Sequence, residues 1–214
     1  MAAAVVYMPP NTMHIRSAPP LTRVPEASGA TSHDALSNLP AGDMWVFAYG
    51  SLMWNPGFPH RQALLAQIHG LHRDLCVWSF VHRGSEAHPG LVLGLDRGGS
   101  CIGIAHRVAE SDRHTTVAYL YERELVTHVY LPVVRRIRID GKGVVPALTF
   151  VVDRQHRQYA GRLAPALAAT TIRHARGRSG PNPDYFANTI AHLEALGIQC
   201  PRLRAVESAL ADGQ

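Results

Sequence analysis

The chain has 214 residues, of which 46% are hydrophobic and 17% charged, and its formal net charge at pH 7 is +5. These proportions indicate one globular domain with a sizeable core, and no apolar run reaches the roughly 18 residues of a membrane-spanning helix. We therefore expect no membrane association. Lys and Arg are scattered, without zinc-finger spacing, an aromatic and basic RNA motif or a basic tail, so we also expect no nucleic-acid partner. An anionic small molecule would account for the positive charge equally well.

The first 41 residues differ in composition from the rest of the chain. They are rich in Pro, Ser, Thr and Ala and show no hydrophobic periodicity. We interpret residues 1–41 as a disordered N-terminal extension and residues 42–214 as the folded domain. The opening segment "MAAAVVYMPP" has too short an apolar run, and no basic region, for a secretory signal.

The region from Trp45 to about Asp153 has mainly the pattern of strands, with β-branched residues and turns marked by glycine. Between the fifth and sixth strands, residues 110–127 repeat apolar side chains at helical spacing and predict one amphipathic helix. The segment "DRGGS" resembles a hairpin turn in which Asp96 makes local hydrogen bonds. The predicted strands are 45–49, 64–69, 73–82, 91–96, 101–108, 129–139 and 144–152.

The C-terminal part of the chain has a helical pattern. Residues 163–176, 182–196 and 201–211 carry apolar side chains three and four positions apart. Strands followed by helices are typical of an α+β fold. We expect a closed or highly curved mixed β-sheet that is flanked by helices.

The cysteines and histidines exclude some kinds of site. Cys76, Cys101 and Cys200 are far apart, odd in number and without a CxxC pair. This argues against a disulfide framework and a zinc site, and favours a reducing, cytoplasmic location. The 13 histidines show no HExxH or comparable spacing, so we expect no bound metal.

The stretch "WVFAYGSLMWNP", residues 45–56, raises the first functional question, because a short apolar strand ends in Tyr49-Gly50-Ser51-Leu52. One interpretation is a strand followed by an ordinary turn, since Gly and Pro mark turns. The other is a loop whose exposed N–H groups hold an anion or a polarised carbonyl. The stretch alone leaves both interpretations open.

Glu124 is the acidic residue whose position is hardest to explain structurally. It lies near the C-terminal end of the predicted helix, where a carboxylate opposes the macrodipole, and its neighbours Leu120, Tyr121 and Leu125 are apolar or aromatic. A carboxyl group in an apolar pocket has a raised pKa and can exchange protons near neutral pH. The alternative is a solvated Glu that pairs with Arg123 or His128.

Five successive blocks carry a family resemblance. They are "WVFAYGSLMWNPGFP", "HRGSEAHPGLVLGLDRGGSCIGIAHRV", "AYLYERELVTHVY", "ALTFVVDRQHRQYAGRL" and "GRSGPNPDYFANTIAHLEALGI". In this order, from about Trp45 to Leu203, the sequence resembles the ChaC family of glutathione-specific γ-glutamylcyclotransferases. A Tyr-Gly-Ser-Leu loop alone would be weak, but Arg-Gly, Pro-Gly and an Arg-Glu helix end following it make the resemblance specific.

The resemblance implies a compact barrel-like α+β fold, no cofactor, and glutathione as the substrate. It implies that Glu124 is the catalytic acid/base and that the loop of Tyr49, Gly50, Ser51 and Leu52 lines the γ-glutamyl pocket. The α-amine of glutathione would attack its own γ-carbonyl, giving 5-oxoproline and Cys-Gly. The expected substrate-binding residues are Tyr49, Gly50, Ser51, Leu52, Met53, Trp54 and Arg83, with Arg83 facing an anionic end of the substrate.

Other residues near these blocks leave alternatives open. Tyr159 and Tyr185 are as well explained by core packing as by substrate contact. Two positions depart from the family pattern, since many relatives have Tyr at His106 and Gly near His128. These departures keep other γ-glutamyl amines or dipeptides open as substrates, and a noncatalytic γ-glutamyl-binding regulator is a further alternative. The residues that could cap the site are Arg178, Ser179 and Asn182.

Overall fold

The computed structural model describes residues 39–212. Apart from residues 39–41, the predicted N-terminal extension lies outside the described residues, so its disorder stays a prediction. The strands are β1 (Met44–Ala48), β2 (Gln62–Ser79), β3 (Gly90–Val108), β4 (Tyr130–Ile139), β5 (Gly143–Val152), β6 (Arg176–Gly177) and β7 (Gly180–Pro181). The helices are α1 (Arg113–Glu124), α2 (Pro165–His174), α3 (Asn182–Ala195) and α4 (Pro201–Ala211), with 3-10 turns at Ser51–Met53 and Glu110–Asp112.

The first five strands form a closed barrel in the order β1-β3-β2-β4-β5. β1 runs antiparallel to β3 but parallel to β5, so the sheet is mixed. Both the closed mixed sheet and the flanking helices confirm the predicted α+β fold. No helix within residues 39–212 is long and apolar enough to span a bilayer.

β2 and β3 are longer than the sequence predicted. Residues 64–69 and 73–79 belong to one strand, although 64–69 and 73–82 were predicted as two, and residues 80–82 lie beyond its end. Residues 91–96 and 101–108, also predicted as two strands, likewise belong to one. The pairing moves from His69↔Ser100 to Leu71↔Arg97 across Gly70, Gly98 and Gly99, which all have positive φ angles. These glycines therefore form a β-bulge within a continuous ladder, where the prediction had placed a hairpin turn.

The barrel separates two apolar clusters, because successive side chains of a strand point to opposite faces. Phe47, Ile68 and Ile137 belong to a cluster made of strand residues. Val46 and Ala48, which flank Phe47, belong to a larger cluster that also contains buried residues from α1 to α4. The helices therefore cover one face of the sheet, and the end of β1 lies between both clusters.

Asp96 makes the expected local hydrogen bond, since it accepts from the Arg97 N–H at 2.7 Å, but it lies within β3 and not in a hairpin turn. It is also a buried ion-pair partner. One of its oxygens lies 2.8 Å from Arg154 Nε, and the other accepts a 2.7 Å hydrogen bond from the Tyr159 hydroxyl. Burial alone would raise the pKa of Asp96, but the bonds from Arg154 and Tyr159 outweigh it and lower that pKa below its ordinary value. Asp96 thereby ties β3 to the segment that follows β5.

We expect Asp96→Asn to lower the free energy of unfolding by about 1–3 kcal/mol, because charge-assisted hydrogen bonds to a buried carboxylate are lost. Urea denaturation at pH 7 measures the change. Glu86→Gln is the matched control, since the Glu86–Arg157 pair has both side chains 69% exposed and should contribute little. Equal losses in the two variants would contradict this account of Asp96.

Candidate functional site

The backbone turns sharply where β1 ends. After Ala48 the chain passes through Tyr49 and Gly50 into the 3-10 turn Ser51–Met53. The Met53 N–H donates to Gly50 O at 2.8 Å, and the Asn55 N–H donates to Ser51 O at 2.8 Å. The segment Tyr49–Leu52 thus leaves the sheet as a compact loop, which we call the cradle loop.

A cavity of about 70 Å³ lies against the cradle loop. Glu124 enters it from the last position of α1, Tyr130 from β4 and Tyr185 from α3. The cavity therefore forms where the barrel meets two helices. Its lining consists of Phe47, Tyr49, Gly50, Ser51, Leu52, Leu93, Glu124, Tyr130, Phe150 and Tyr185.

The Glu124 carboxylate is partly buried and is paired. Its side chain is 20% exposed, and Oε1 lies 3.3 Å from Arg123 Nε. Burial raises the pKa of Glu124 above its ordinary value, and the neighbouring charge of Arg123 opposes that rise. Glu124 therefore combines the cavity position of one sequence interpretation with the Arg123 pairing of the other.

Three tyrosines surround the carboxylate. Burial raises the pKa of Tyr49, Tyr130 and Tyr185 above the ordinary value of a phenol, so all three are neutral at physiological pH. The Tyr130 hydroxyl donates to Leu93 O at 2.6 Å, and the Leu93 N–H donates to the Tyr185 hydroxyl at 3.2 Å. Both rings are thus fixed by the backbone of β3.

Buried side chains hold the cradle loop from the barrel side. Arg73 donates to the carbonyl oxygen of Tyr49 and, at 2.8 Å, to that of Ile102. The guanidinium also contacts the Met53 sulfur at 3.5 Å. His106 Nε2 lies 3.0 Å from Leu52 O. Because a carbonyl can only accept, this nitrogen carries the proton.

Three of the predicted substrate-binding residues do not line the cavity. Met53 is buried beneath the loop. Trp54 stacks on His192 of α3, with ring centroids 4.3 Å apart. Arg83 donates to Ser179 O at 2.6 Å, and its guanidinium lies 5.3 Å from the ring centroid of Tyr185. Direct contact between any of them and a substrate stays a prediction.

The expected capping residues have structural partners. The Asn182 side chain donates to Leu91 O at 2.8 Å and accepts from the Leu91 N–H, which joins α3 to β3. Ser179 Oγ lies 2.9 Å from His82 Nδ1, while Arg178 donates through its backbone to Val81 O. These contacts fasten the β6–β7 hairpin to the loop between β2 and β3.

The sequence of the chain matches a known protein family. The sequence model described as ChaC-like protein matches residues 44–211. The chain belongs to the ChaC family. It is 33% identical to the glutathione-specific gamma-glutamylcyclotransferase of Escherichia coli over 74% of this chain and 68% of that protein. It is 30% identical to the human glutathione-specific gamma-glutamylcyclotransferase 1 over 73% of this chain and 72% of that protein.

Solved structures share the fold of this ChaC-family chain. A crystal structure of a glutathione-specific gamma-glutamylcyclotransferase from yeast superposes with a TM-score of 0.72 at 20% sequence identity. The match covers 80% of this chain and 96% of the yeast chain. The barrel and its flanking helices are therefore an architecture already seen in a crystal structure.

The two departures from the ChaC pattern differ in their structural effect. His128 is exposed and has a φ of 57°, the left-handed region that favours Gly. The charge that lowers the pKa of Glu124 is that of Arg123. His106 is 1% exposed and supports the cradle loop.

We expect His106 to make stability depend on pH. Burial lowers the pKa of His106 to about 4 from the ordinary value of 6.5, and the charge of His60 adds to this effect against the opposing Leu52 hydrogen bond. As pH falls from about 6.5 to about 4, the unfolded chain gains a proton that the folded protein does not, so stability is lost across that window.

His106→Gln can keep the donor to Leu52 O without ionising, and should remove roughly 3 kcal/mol of this decline. Urea denaturation between pH 7 and pH 4 measures it, with the exposed His114→Gln as control. Parallel declines in the wild type and His106→Gln would refute the assignment.

Proposed function

We propose that this chain is a γ-glutamylcyclotransferase that converts glutathione into 5-oxoproline and Cys-Gly, with Glu124 as the general acid/base. The observation that carries the proposal is the position of Glu124 in one cavity with Tyr49, Gly50, Ser51 and Leu52, in a chain of the ChaC family. The names of the curated relatives support glutathione as the substrate.

The reaction needs a base more than it needs a nucleophile. The substrate supplies the nucleophile, its own α-amine, but an α-ammonium group with a pKa near 8 is mostly protonated at pH 7. Glu124 removes a proton from this group, and the amine attacks the γ-carbonyl carbon. As the amide bond breaks, Glu124 returns this proton to the departing nitrogen of Cys-Gly. The cyclised nitrogen loses a second proton, which the amine of Cys-Gly takes up, so that Cys-Gly is released with an ammonium group. The atoms of glutathione are conserved in the two products, so no co-reactant is needed.

The raised pKa of Glu124 suits this exchange, because an acid/base works best when its pKa approaches the operating pH. The three neutral tyrosines contribute no competing charge. The walls around Glu124 hold the γ-glutamyl chain folded, so that amine and carbonyl meet. The N–H groups of Gly50, Ser51 and Leu52 are the candidates for stabilising the oxyanion or gripping the α-carboxylate.

Arg83 is the candidate for the anionic end of the substrate. Its guanidinium lies against Tyr185, whose ring lines the cavity. In this proposal Met53 and Trp54 act through the loop, since Met53 contacts Arg73 and Trp54 stacks on α3.

We expect purified wild-type protein to form 5-oxoproline and Cys-Gly from glutathione, and Glu124→Gln to lose roughly a hundredfold or more in kcat, because the base is removed. Mass spectrometry of both products measures the reaction. Glu122→Gln, an exposed acid on the same helix, is the matched control and should stay active. If the wild type binds glutathione but forms no product, the noncatalytic regulator is favoured. If Glu124→Gln is fully active, Glu124 is not the general acid/base.

The identity of the leaving group calls for a separate experiment. We expect glutathione to be turned over in preference to γ-glutamyl-alanine when both are present, because the curated relatives are named for glutathione. The ratio of the two kcat/KM values, measured from Cys-Gly and alanine release, decides this point. A clear preference for the dipeptide would be compatible with the proposed cyclisation but would contradict glutathione as the preferred substrate.

A further inference from the structure

We infer that Arg123 is a positioning residue that locks the Glu124 carboxylate to the cradle loop, so that the base and the loop keep one fixed geometry. This inference rests on the proposed function. From the sequence alone, Arg123 is only a surface partner for Glu124 or one half of the Arg-Glu pair.

All three nitrogens of the Arg123 guanidinium are engaged. One terminal nitrogen donates to Asn55 O at 2.8 Å and to the Tyr119 hydroxyl at 2.9 Å. The other terminal nitrogen donates to Ser51 Oγ at 3.1 Å, and Nε lies 3.3 Å from Glu124 Oε1. A single planar group therefore contacts both sides of the cavity, the loop and the carboxylate.

The pairing of Arg123 with Glu124 is not a consequence of helix geometry. Side chains at adjacent helix positions diverge and do not face each other. Here the guanidinium folds over the end of α1, because the carbonyl oxygens of Asn55 and Pro56 accept from it at 2.8 and 3.4 Å. These two acceptors, in the segment that follows the cradle loop, thus determine where Arg123 lies, and Arg123 in turn contacts Glu124.

The segment that follows the cradle loop packs closely on α1. A Cβ atom built on Gly57 would clash with the Tyr119 hydroxyl, and Gly57 has a φ of 74°. Both features favour glycine where this segment crosses Tyr119. The Tyr119 hydroxyl also accepts a hydrogen bond from Arg123. Tyr119 therefore contacts both Gly57 and the guanidinium.

Arg123 is also the charged group that acts on the carboxylate. The other titratable groups that couple to Glu124 are Tyr49 at the end of β1, Tyr130 on β4 and Tyr185 on α3, and burial keeps them neutral. Burial raises the pKa of Glu124 and Arg123 lowers it. Loss of the guanidinium therefore raises the pKa of Glu124 further, and the carboxylate becomes protonated at a higher pH.

The test compares Arg123→Gln, which removes the charge, with Arg123→Lys, which keeps a charge but not the planar fork. In Arg123→Gln we expect the acidic limb of the kcat/KM profile to move to higher pH and kcat to fall roughly ten- to a hundredfold, with a smaller change in KM. In Arg123→Lys the limb should stay near its wild-type position while kcat falls. Arg113→Gln is the matched control, because Arg113 on the same helix holds Pro40 O and Gly42 O, which lie outside the cavity lining.

A titration without turnover separates this inference from the proposed function. NMR of a carboxyl-labelled protein, with Glu124 assigned by its loss in Glu124→Gln, gives the pKa of Glu124 in the wild type and in Arg123→Gln. A higher value in the variant supports the coupling even if glutathione proves not to be the substrate. An unchanged Glu124 titration, or a fall in activity in Arg123→Gln that is uniform across pH, would overturn the inference and leave Arg123 with a merely structural role.

Discussion

The structure depends on a buried arginine at the point where β1 leaves the barrel. β1 pairs with β3 as far as Ala48↔Ile104, and beyond it the Tyr49 carbonyl no longer has a ladder partner. Arg73, 4% exposed, donates to this carbonyl and to that of Ile102. Among residues 39–212 it forms no ion pair with a carboxylate, so its charge is compensated by backbone oxygens. A buried carbonyl without a hydrogen-bond donor is energetically costly. The shape of the cradle loop therefore depends on the donor that Arg73 provides.

The electrostatics of the cavity follow from that shape. The segment that follows the cradle loop crosses Tyr119 at Gly57, and Glu124 at the end of α1 keeps only 20% of its side chain exposed. Burial and the negative end of the helix macrodipole both disfavour the ionised carboxylate, whereas Arg123 favours it. The guanidinium that contacts the cradle loop thus also moderates the proton affinity of the Glu124 carboxyl group. The position of the Glu124 carboxyl group and its pKa are therefore coupled, because the Arg123 guanidinium affects both.

Sequence patterns predicted the fold class, because hydrophobic periodicity reports directly on which faces are buried. For Glu124 the patterns left a pocket position and a solvated ion pair both open, and the family resemblance favoured the pocket. The features that could not be predicted from the sequence depend on tertiary structure. Positive-φ glycines serve bulges and turns alike, so Gly70 and Gly98–Gly99 could not reveal a continuous strand. Tyr130 was missed because nothing local distinguishes a cavity-lining tyrosine at the start of a strand from a packed one. Arg73 lies in a strand-like run, where a charge is ordinarily read as solvent-facing.

His106 supports the cradle loop from a position outside the cavity lining. It donates one hydrogen bond to Leu52 O. The imidazole adds a second polar atom, Nδ1, which is buried without a hydrogen-bond partner among the described residues. An unsatisfied buried acceptor costs about 1–3 kcal/mol, and the ring of His60, 4.8 Å away between centroids, discourages a second proton there. The imidazole at this position therefore affects the free energy of unfolding and its dependence on pH. Arg123 contacts Ser51 Oγ and Glu124, whereas His106 contacts Leu52 O, so the two side chains hold different residues of the cradle loop.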